Sequence, residues 1–147
     1  MTFVVLTWSS GSGTHIAQTR VCWPPCGDRI RAPGYTSLVK MSGFPFGVTD
    51  WAQVAPSEHP GETGVALWRT LNCGEIRVRM VEYSPGYRAD HWCSKGHVLL
   101  CLEGELETEI ADGRRFALKP GDSYQAADGE PGHRSSTRTG ARLFIVD

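Results

Sequence analysis

The chain has 147 residues, a formal net charge of −1, 40% hydrophobic residues and five cysteines. This length suits one domain with a single core, and a charge so close to zero gives no electrostatic footprint for binding nucleic acid. No apolar run approaches the roughly 20 residues that span a bilayer, and an odd number of cysteines argues against a disulfide framework. We therefore expect a cytoplasmic protein that binds neither nucleic acid nor a membrane.

Residues 1–40 differ from the rest of the chain in charge and in pattern. They carry four basic groups and one acidic group, a net charge of +3, whereas residues 41–147 carry 11 basic and 15 acidic groups, a net charge of −4. The first segment also lacks a sustained period of about 2 or 3.6 residues and is interrupted by glycine and proline. We expect it to be a poorly ordered or non-native extension, with the native start at Met41 and the folded domain over residues 41–147.

From about Val65 onward, the chain reads as a series of short strands with no segment that favours a helix. Alternating or continuous apolar patterns, separated by turn signals such as Asp112-Gly113 and Pro120-Gly121, predict these strands. They lie over residues 75–80, 97–102, 105–110, 115–118, 123–126 and 141–146. Strands spaced by roughly 8–12 residues indicate a sandwich or small barrel, so we predict an all-β, antiparallel jelly roll whose interior holds a ligand or a metal.

One short stretch carries most of the chemical information. His91, Cys93 and His97 lie within seven residues of one another, immediately before the apolar strand, and His133 follows in a glycine-rich loop. Imidazole and thiolate are the side-chain groups that best bind borderline transition metals. The pattern predicts a metal site of His91, His97 and His133, with Cys93 as a fourth ligand, a nucleophile or a bystander. The alternative is a barrel in which the histidines are hydrogen-bonded core groups and no metal binds.

These residues resemble the two motifs of the cupin superfamily. The first cupin motif has two histidines one residue apart, then a glutamate and a terminal glycine. Here His91 and Cys93 stand at the histidine positions, His97 at the glutamate position and Gly104 at the glycine position. The second motif follows a Pro-Gly turn and supplies a further histidine, which here is His133. The resemblance implies a single-domain cupin barrel that contains one divalent metal.

The sequence of the chain also resembles, segment by segment, the small bacterial group called DHCW-motif cupins. Five separated segments carry this similarity in the same order, namely residues 44–47, 68–70, 81–86, 90–97 and 143–147. The resemblance covers roughly residues 41–147 and implies a dimeric, single-domain cupin. It brings no substrate with it.

The donor set departs from the usual cupin pattern, and this departure bears on the metal. A shell of three histidines and a glutamate holds iron, manganese or nickel in many cupins. With Cys93 in place of an imidazole and His97 in place of the acid, the site is softer. We therefore expect one divalent transition metal, with zinc favoured and iron, manganese, nickel or copper as alternatives.

Three further residues are candidates for contacting a small-molecule ligand. Arg77 and Arg79 share one strand face, and a guanidinium that looks into the barrel would clamp a carboxylate through two parallel hydrogen bonds. If that face looks outward, both arginines are merely solvated. Tyr124 is a candidate hydrogen-bond donor to the same ligand, although packing explains it equally well.

The function predicted from these residues is that of a metal-dependent enzyme acting on a small polar molecule, with the reaction type left open. The alternatives are a small-molecule or metal-binding and sensing module without turnover, and a thiol-based redox sensor centred on Cys93. The continuous apolar strand over residues 97–102 needs cover on both faces. One barrel covers only one of them, so we also expect a homodimer.

Overall fold

The computed structural model of the chain describes residues 41–147. The expectations for residues 1–40, a poorly ordered or non-native extension ahead of a native start, lie outside the described residues. The described part contains strands and no helix, as the sequence predicts, so it offers no helix long and apolar enough to cross a membrane.

Nine strands follow one another along the described residues, and those predicted from the sequence are among them. They are β1 (Ser57–Pro60), β2 (Val65–Cys73), β3 (Ile76–Tyr83), β4 (His97–Gly104), β5 (Leu106–Ile110), β6 (Arg115–Leu118), β7 (Ser123–Ala126), β8 (His133–Ser136) and β9 (Ala141–Val146).

The strands form two antiparallel sheets. The larger sheet has six strands in the order β1-β2-β3-β9-β4-β7, and the smaller has three in the order β6-β5-β8. Strand β9 pairs with both β3 and β4, although all three are far apart in sequence. This long-range order is that of a jelly roll and not of a simple meander of hairpins.

A single hydrophobic core joins the two sheets. Val81, Leu99 and Leu143 of the larger sheet and Leu106 and Leu118 of the smaller belong to one cluster, and each is at most 5% exposed. Along β9 every second side chain is buried, because successive side chains of a strand point to opposite faces. The predicted all-β jelly roll is confirmed.

Three of the nine strands, β1, β2 and β8, are not among the predicted ranges, and β8 changes the surroundings of a candidate ligand. Strand β1 is short and polar, so its sequence has no apolar alternation to detect. His133, expected in a loop, begins β8 and pairs with Ile110 of β5. The loop of residues 127–132 ends one residue earlier than the sequence suggests, and this places the imidazole in the sheet.

Candidate metal centre

The backbone holds two of the candidate ligands directly opposite each other. Cys93 lies in the segment before β4 and forms an isolated antiparallel bridge with His133, the first residue of β8. The Cys93 amide donates to the His133 carbonyl at 2.8 Å, and the His133 amide donates back to the Cys93 carbonyl at 2.9 Å. Residues paired in this way carry their side chains on the same face, so the thiol and the imidazole face one cavity.

The third ligand comes from the other sheet. His97 begins β4 of the six-stranded sheet, and its Nε2 lies 3.3 Å from Nε2 of His133. The ligand atoms of Cys93, His97 and His133 all lie within 4.8 Å of one another. The prediction that these residues converge, although His133 is 36 residues from His97, therefore agrees with the geometry.

Hydrogen bonding and burial prepare the two imidazoles to bind a cation. The carbonyl of Lys95 lies 3.1 Å from Nδ1 of His97 and fixes the proton there, which leaves the lone pair on Nε2. The hydroxyl of Tyr124 donates to that nitrogen at 2.8 Å, so Tyr124 would have to release this lone pair when a metal binds. Burial lowers the pKa of both His97 and His133, and the neighbouring His133 lowers that of His97 further. Both rings are therefore neutral near pH 7, the form that binds metal.

The spacing of the donor atoms fits a transition metal. Two nitrogens bound at about 2.05 Å to a tetrahedral zinc ion lie about 3.3 Å apart. The Nε2 atoms of His97 and His133 are 3.3 Å apart, which matches this separation. Two imidazole nitrogens and the Cys93 thiol are together a soft to borderline donor set of the kind zinc prefers. The residues present therefore fit the metal that the fold implies.

His91 has a different position from the other three predicted ligands. Its side chain is 69% exposed, and its Nδ1 lies 2.6 Å from a carboxylate oxygen of Asp90. It lines the same cavity as the cluster, but its ring nitrogens are not among the atoms that converge. The structure thus brings together three of the four predicted ligands, and the role of His91 stays a prediction.

Two cavities meet at the cluster. The smaller, of about 90 Å³, is lined by all three ligands and also by Trp68 and Arg79. The larger, of about 390 Å³, lies towards β5, β6 and β7 and is lined by residues such as Phe116 and Gln125. His133 and Tyr124 line both cavities, so the candidate metal centre lies where the two meet.

The predicted ligand-contacting arginines are joined through an aspartate that sequence reasoning missed. Asp147 Oδ2 accepts hydrogen bonds from Arg77 and from Arg79, each at 2.6 Å, and Oδ1 accepts from Nε of Arg77 at 2.9 Å. Arg79 is 6% exposed and lines the smaller cavity, whereas the Arg77 side chain is 44% exposed. Of the two, Arg79 is the arginine that looks into the barrel.

The charge on Asp147 is set by opposing effects. Burial acts to raise the pKa of this carboxyl, but the hydrogen bond from Arg77 and the charge of Arg79 outweigh it. The pKa of Asp147 therefore lies below its ordinary value. Asp147 lies 70 and 68 residues from its partners, and the similarity over residues 143–147 assigns it no role, so the sequence does not signal this contact.

Comparison with known proteins supports the fold. No protein-family model and no functionally curated protein matches the chain. Among solved structures, ectoine synthase from P. lautus is 19% identical, with a TM-score of 0.57 over 69% of this chain and 76% of that chain. A sugar phosphate isomerase of the cupin superfamily from Silicibacter pomeroyi is 20% identical, with a TM-score of 0.55 over 68% of this chain and 74% of that chain.

A cupin-like protein from Thermotoga maritima is similar to the same degree, with 20% identity and a TM-score of 0.53 over 63% of this chain and 75% of that chain. At this level of identity the likenesses show the fold alone. The described part of the chain has the cupin fold, as the two sequence motifs predict. The closer similarity to the DHCW-motif group stays a prediction.

Proposed function

We propose that residues 41–147 bind one divalent transition metal, most suitably zinc, and act as a metal-dependent enzyme on a small polar molecule. The observation that carries this proposal is the convergence of the ligand atoms of Cys93, His97 and His133 within 4.8 Å. Catalysis requires that one coordination position be open to water or substrate. His91, on the exposed rim of the same cavity, is the candidate that would close this position.

The surrounding residues have roles that follow from their contacts. A bound divalent metal would supply Lewis acidity and would lower the pKa of a bound water towards about 7. The Lys95 carbonyl orients the His97 ring. Burial raises the pKa of the Tyr124 hydroxyl, so this group keeps its proton at neutral pH and remains a hydrogen-bond donor at the boundary of the two cavities.

The first test is the metal content of the full chain, purified without an affinity tag or a chelator and measured by mass spectrometry. We expect about one metal per chain in the wild type and loss of that metal in His97→Ala and His133→Ala, since each removes one of three ligands. Cys73→Ser, which removes another metal-binding side chain, is the control, because Cys73 ends β2 and lies outside the cluster. Wild-type protein that stays metal-free after incubation with zinc, iron, manganese, nickel and copper would contradict the proposal. The histidines would then be hydrogen-bonded core groups.

A second measurement separates an enzyme from a metal-binding module. In the cobalt-substituted protein, added azide changes the absorption spectrum only when a coordination position is open to it. An altered spectrum supports a catalytic centre. An unchanged spectrum indicates a closed shell, which is typical of structural sites and argues for binding without turnover.

A further inference from the structure

The smaller cavity beside the metal cluster is bordered by buried N–H donors without acceptors. Arg79 donates through Nη2 to Asp147, but its Nε is buried with no hydrogen-bond partner among residues 41–147. The indole Nε1 of Trp68 is likewise buried and has no partner in the described part of the chain. Both side chains line the cavity. Arg69 and Arg142 also have a buried Nε without a partner in the described residues, but both line a different cavity and pair with Glu82 and Glu103. The Nε of Arg79 and the Nε1 of Trp68 share one cavity, and a ligand that supplies an acceptor there would satisfy both.

Arg79 is a buried cation at this position, and it shares the side-chain carboxylate of Asp147 with Arg77. The Nε–H of Arg79, which has no acceptor among residues 41–147, is free to donate to an anion. Arg134 also lines the cavity but is balanced by Glu109 at 3.2 Å and by Glu62 at 3.6 Å. An anion in this cavity would therefore meet the guanidinium of Arg79, which is the buried one of the two arginines.

Arg79 is held in a fixed orientation. Its guanidinium carbon lies 4.4 Å from the centre of the Trp68 ring, and the ring of His59 stacks on Trp68 with a centroid separation of 3.8 Å. A guanidinium held over an aromatic face keeps its donors in position without further loss of side-chain freedom. The cavity, at about 90 Å³, has the volume of about three water molecules, enough for a carboxylate group.

We propose that Arg79 and Trp68 form a subsite for a carboxylate, which accepts hydrogen bonds from Nε of Arg79 and from the indole N–H of Trp68. The inference rests on the proposed function in that the carboxylate belongs to the small molecule placed beside the metal. The substrate class is thereby narrowed to carboxylic acids whose remaining atoms extend from the metal cluster towards the larger cavity.

The test follows individual N–H signals by ¹⁵N–¹H NMR while acetate is added to the metal-free full chain. Acetate should shift the Trp68 indole signal and the Arg79 Nε–H signal along saturating curves with one shared affinity. Acetamide has nearly the same shape without the charge and should not do so. The Trp51 indole is an internal control, because Trp51 packs against Phe144, away from the cavity residues.

Two variants make the test specific. Arg79→Lys keeps the charge but loses the planar fork, and we expect acetate to bind about tenfold or more weakly, as for a lost hydrogen bond to a charged group. Trp68→Phe keeps the aromatic face and removes only the N–H, so the Arg79 signal should report a weaker affinity. Arg69→Lys is the matched control. Arg69 follows Trp68 on β2, pairs with Glu82 at 2.6 Å and does not line this cavity.

Unmoved Trp68 and Arg79 signals, an equal response to acetamide, or unchanged affinity in a folded Arg79→Lys or Trp68→Phe protein would overturn the inference. Should Arg79→Lys fail to fold, Trp68→Phe decides the matter through the Arg79 signal. Zinc titration of the same samples separates the two proposals. Zinc binding without an acetate response removes the carboxylate subsite and leaves the metal function. An acetate response without zinc binding supports the subsite and removes the metal function.

Discussion

At the scale of single residues, the sulfur of Cys93 distinguishes this site from one made only of imidazoles. The backbone of Cys93 is fixed by two hydrogen bonds to His133, so Cys93→Ser exchanges sulfur for oxygen with little reason for the chain to move. Loss of a residue that merely supports a ligand weakens metal binding about 10- to 100-fold, and loss of a ligand should cost at least as much. We expect Cys93→Ser to bind zinc at least about tenfold more weakly, as measured by competition with a chelator.

The cobalt-substituted protein provides an independent check of Cys93. The wild type should show a thiolate-to-metal charge-transfer band, and Cys93→Ser should lack it. His91→Ala is the informative companion variant. The His91 ring nitrogens are not among the converging ligand atoms, so we expect His91→Ala to lose less zinc affinity than Cys93→Ser does. Unchanged zinc affinity and an unchanged cobalt spectrum in Cys93→Ser would show that the thiol is a bystander.

Asp147 is the residue whose charge matters most for pH-dependent stability. Its side chain is 6% exposed, and Asp147→Asn would leave the equally buried Arg79 without its carboxylate partner. We expect the free energy of unfolding at pH 7 to fall by about 3 kcal/mol, as when one partner of a buried ion pair is removed. Urea unfolding followed by circular dichroism measures this change.

The difference in the free energy of unfolding between wild type and Asp147→Asn should depend on pH with a definite sign. The pKa of Asp147 in the folded state lies below its ordinary value. The carboxylate therefore contributes stability above its unfolded pKa of about 3.9, and this contribution is lost as pH falls through the lower folded pKa. Wild type and Asp147→Asn should differ most at neutral pH and should converge in acid. Glu105→Gln, at an exposed position, should show neither effect, and a difference that grows in acid would contradict the assignment.

At the scale of strands and turns, the sequence predicts those strands that carry a visible apolar pattern, either alternating or continuous. In β5 the apolar ends of the strand alternate with carboxylates. Strand β9 buries every second side chain but is apolar throughout residues 143–146, so a continuous apolar run identifies it. Strand β1 contains Pro60 and little apolar surface, as edge strands often do, so alternation cannot reveal it. In β8 the inward positions are His133 and Ser135, and both are polar because they line the site. A strand whose inward side chains line the site therefore lacks the apolar alternation by which strands are recognised.

The same reasoning explains how much of the candidate site the sequence predicts. All four predicted metal ligands belong to the two cupin-like motifs, and the structure brings three of them together, Cys93, His97 and His133. Asp147 and Trp68 lie in segments that resemble the DHCW-motif group, but that resemblance assigns them no role, because their importance depends on which strands lie side by side. The register that opposes β3 and β9 brings Asp147 to Arg77, and that register is set by the whole sheet and not by local sequence.

Gly104, which ends the first motif, is a turn position where any side chain would clash. Its φ of +75° is rarely adopted by other residues, and an added Cβ would come too close to the carbonyl oxygen of Gly140. We expect Gly104→Ala to lower the free energy of unfolding by about 3 kcal/mol or more, since backbone strain and a backbone clash act together. Gly113→Ala is the control. Its φ is +93° but nothing lies within 4 Å of the added Cβ, so strain alone should cost about 1 kcal/mol. Equal losses in the two variants, measured by urea unfolding, would contradict the role of the clash.

At the scale of the whole molecule, the outer face of the six-stranded sheet suggests an interface between two copies. Leu99 and Cys101 of β4 are at most 1% exposed in the core, but Val98 on the opposite face is 53% exposed. Val146 of β9 lies directly across from Val98, which extends the apolar surface over two neighbouring strands. Exposed apolar patches of this kind are typical of interaction sites. We propose that a second copy of the chain covers this surface, because β4 is apolar on both faces and one chain covers only one of them.

Light scattering coupled to size-exclusion chromatography tests this homodimer with the full chain at micromolar concentration. We expect the wild type to have twice the mass of one chain. Val98→Glu should have the mass of one chain, because a carboxylate cannot be buried in an apolar interface without a partner. Phe116→Glu is matched in exposure, at 50%, but lies on β6 of the other sheet, and this variant should remain dimeric. A monomeric wild type would contradict the homodimer. Dissociation by Phe116→Glu but not by Val98→Glu would instead place the interface on the smaller sheet, beside the larger cavity.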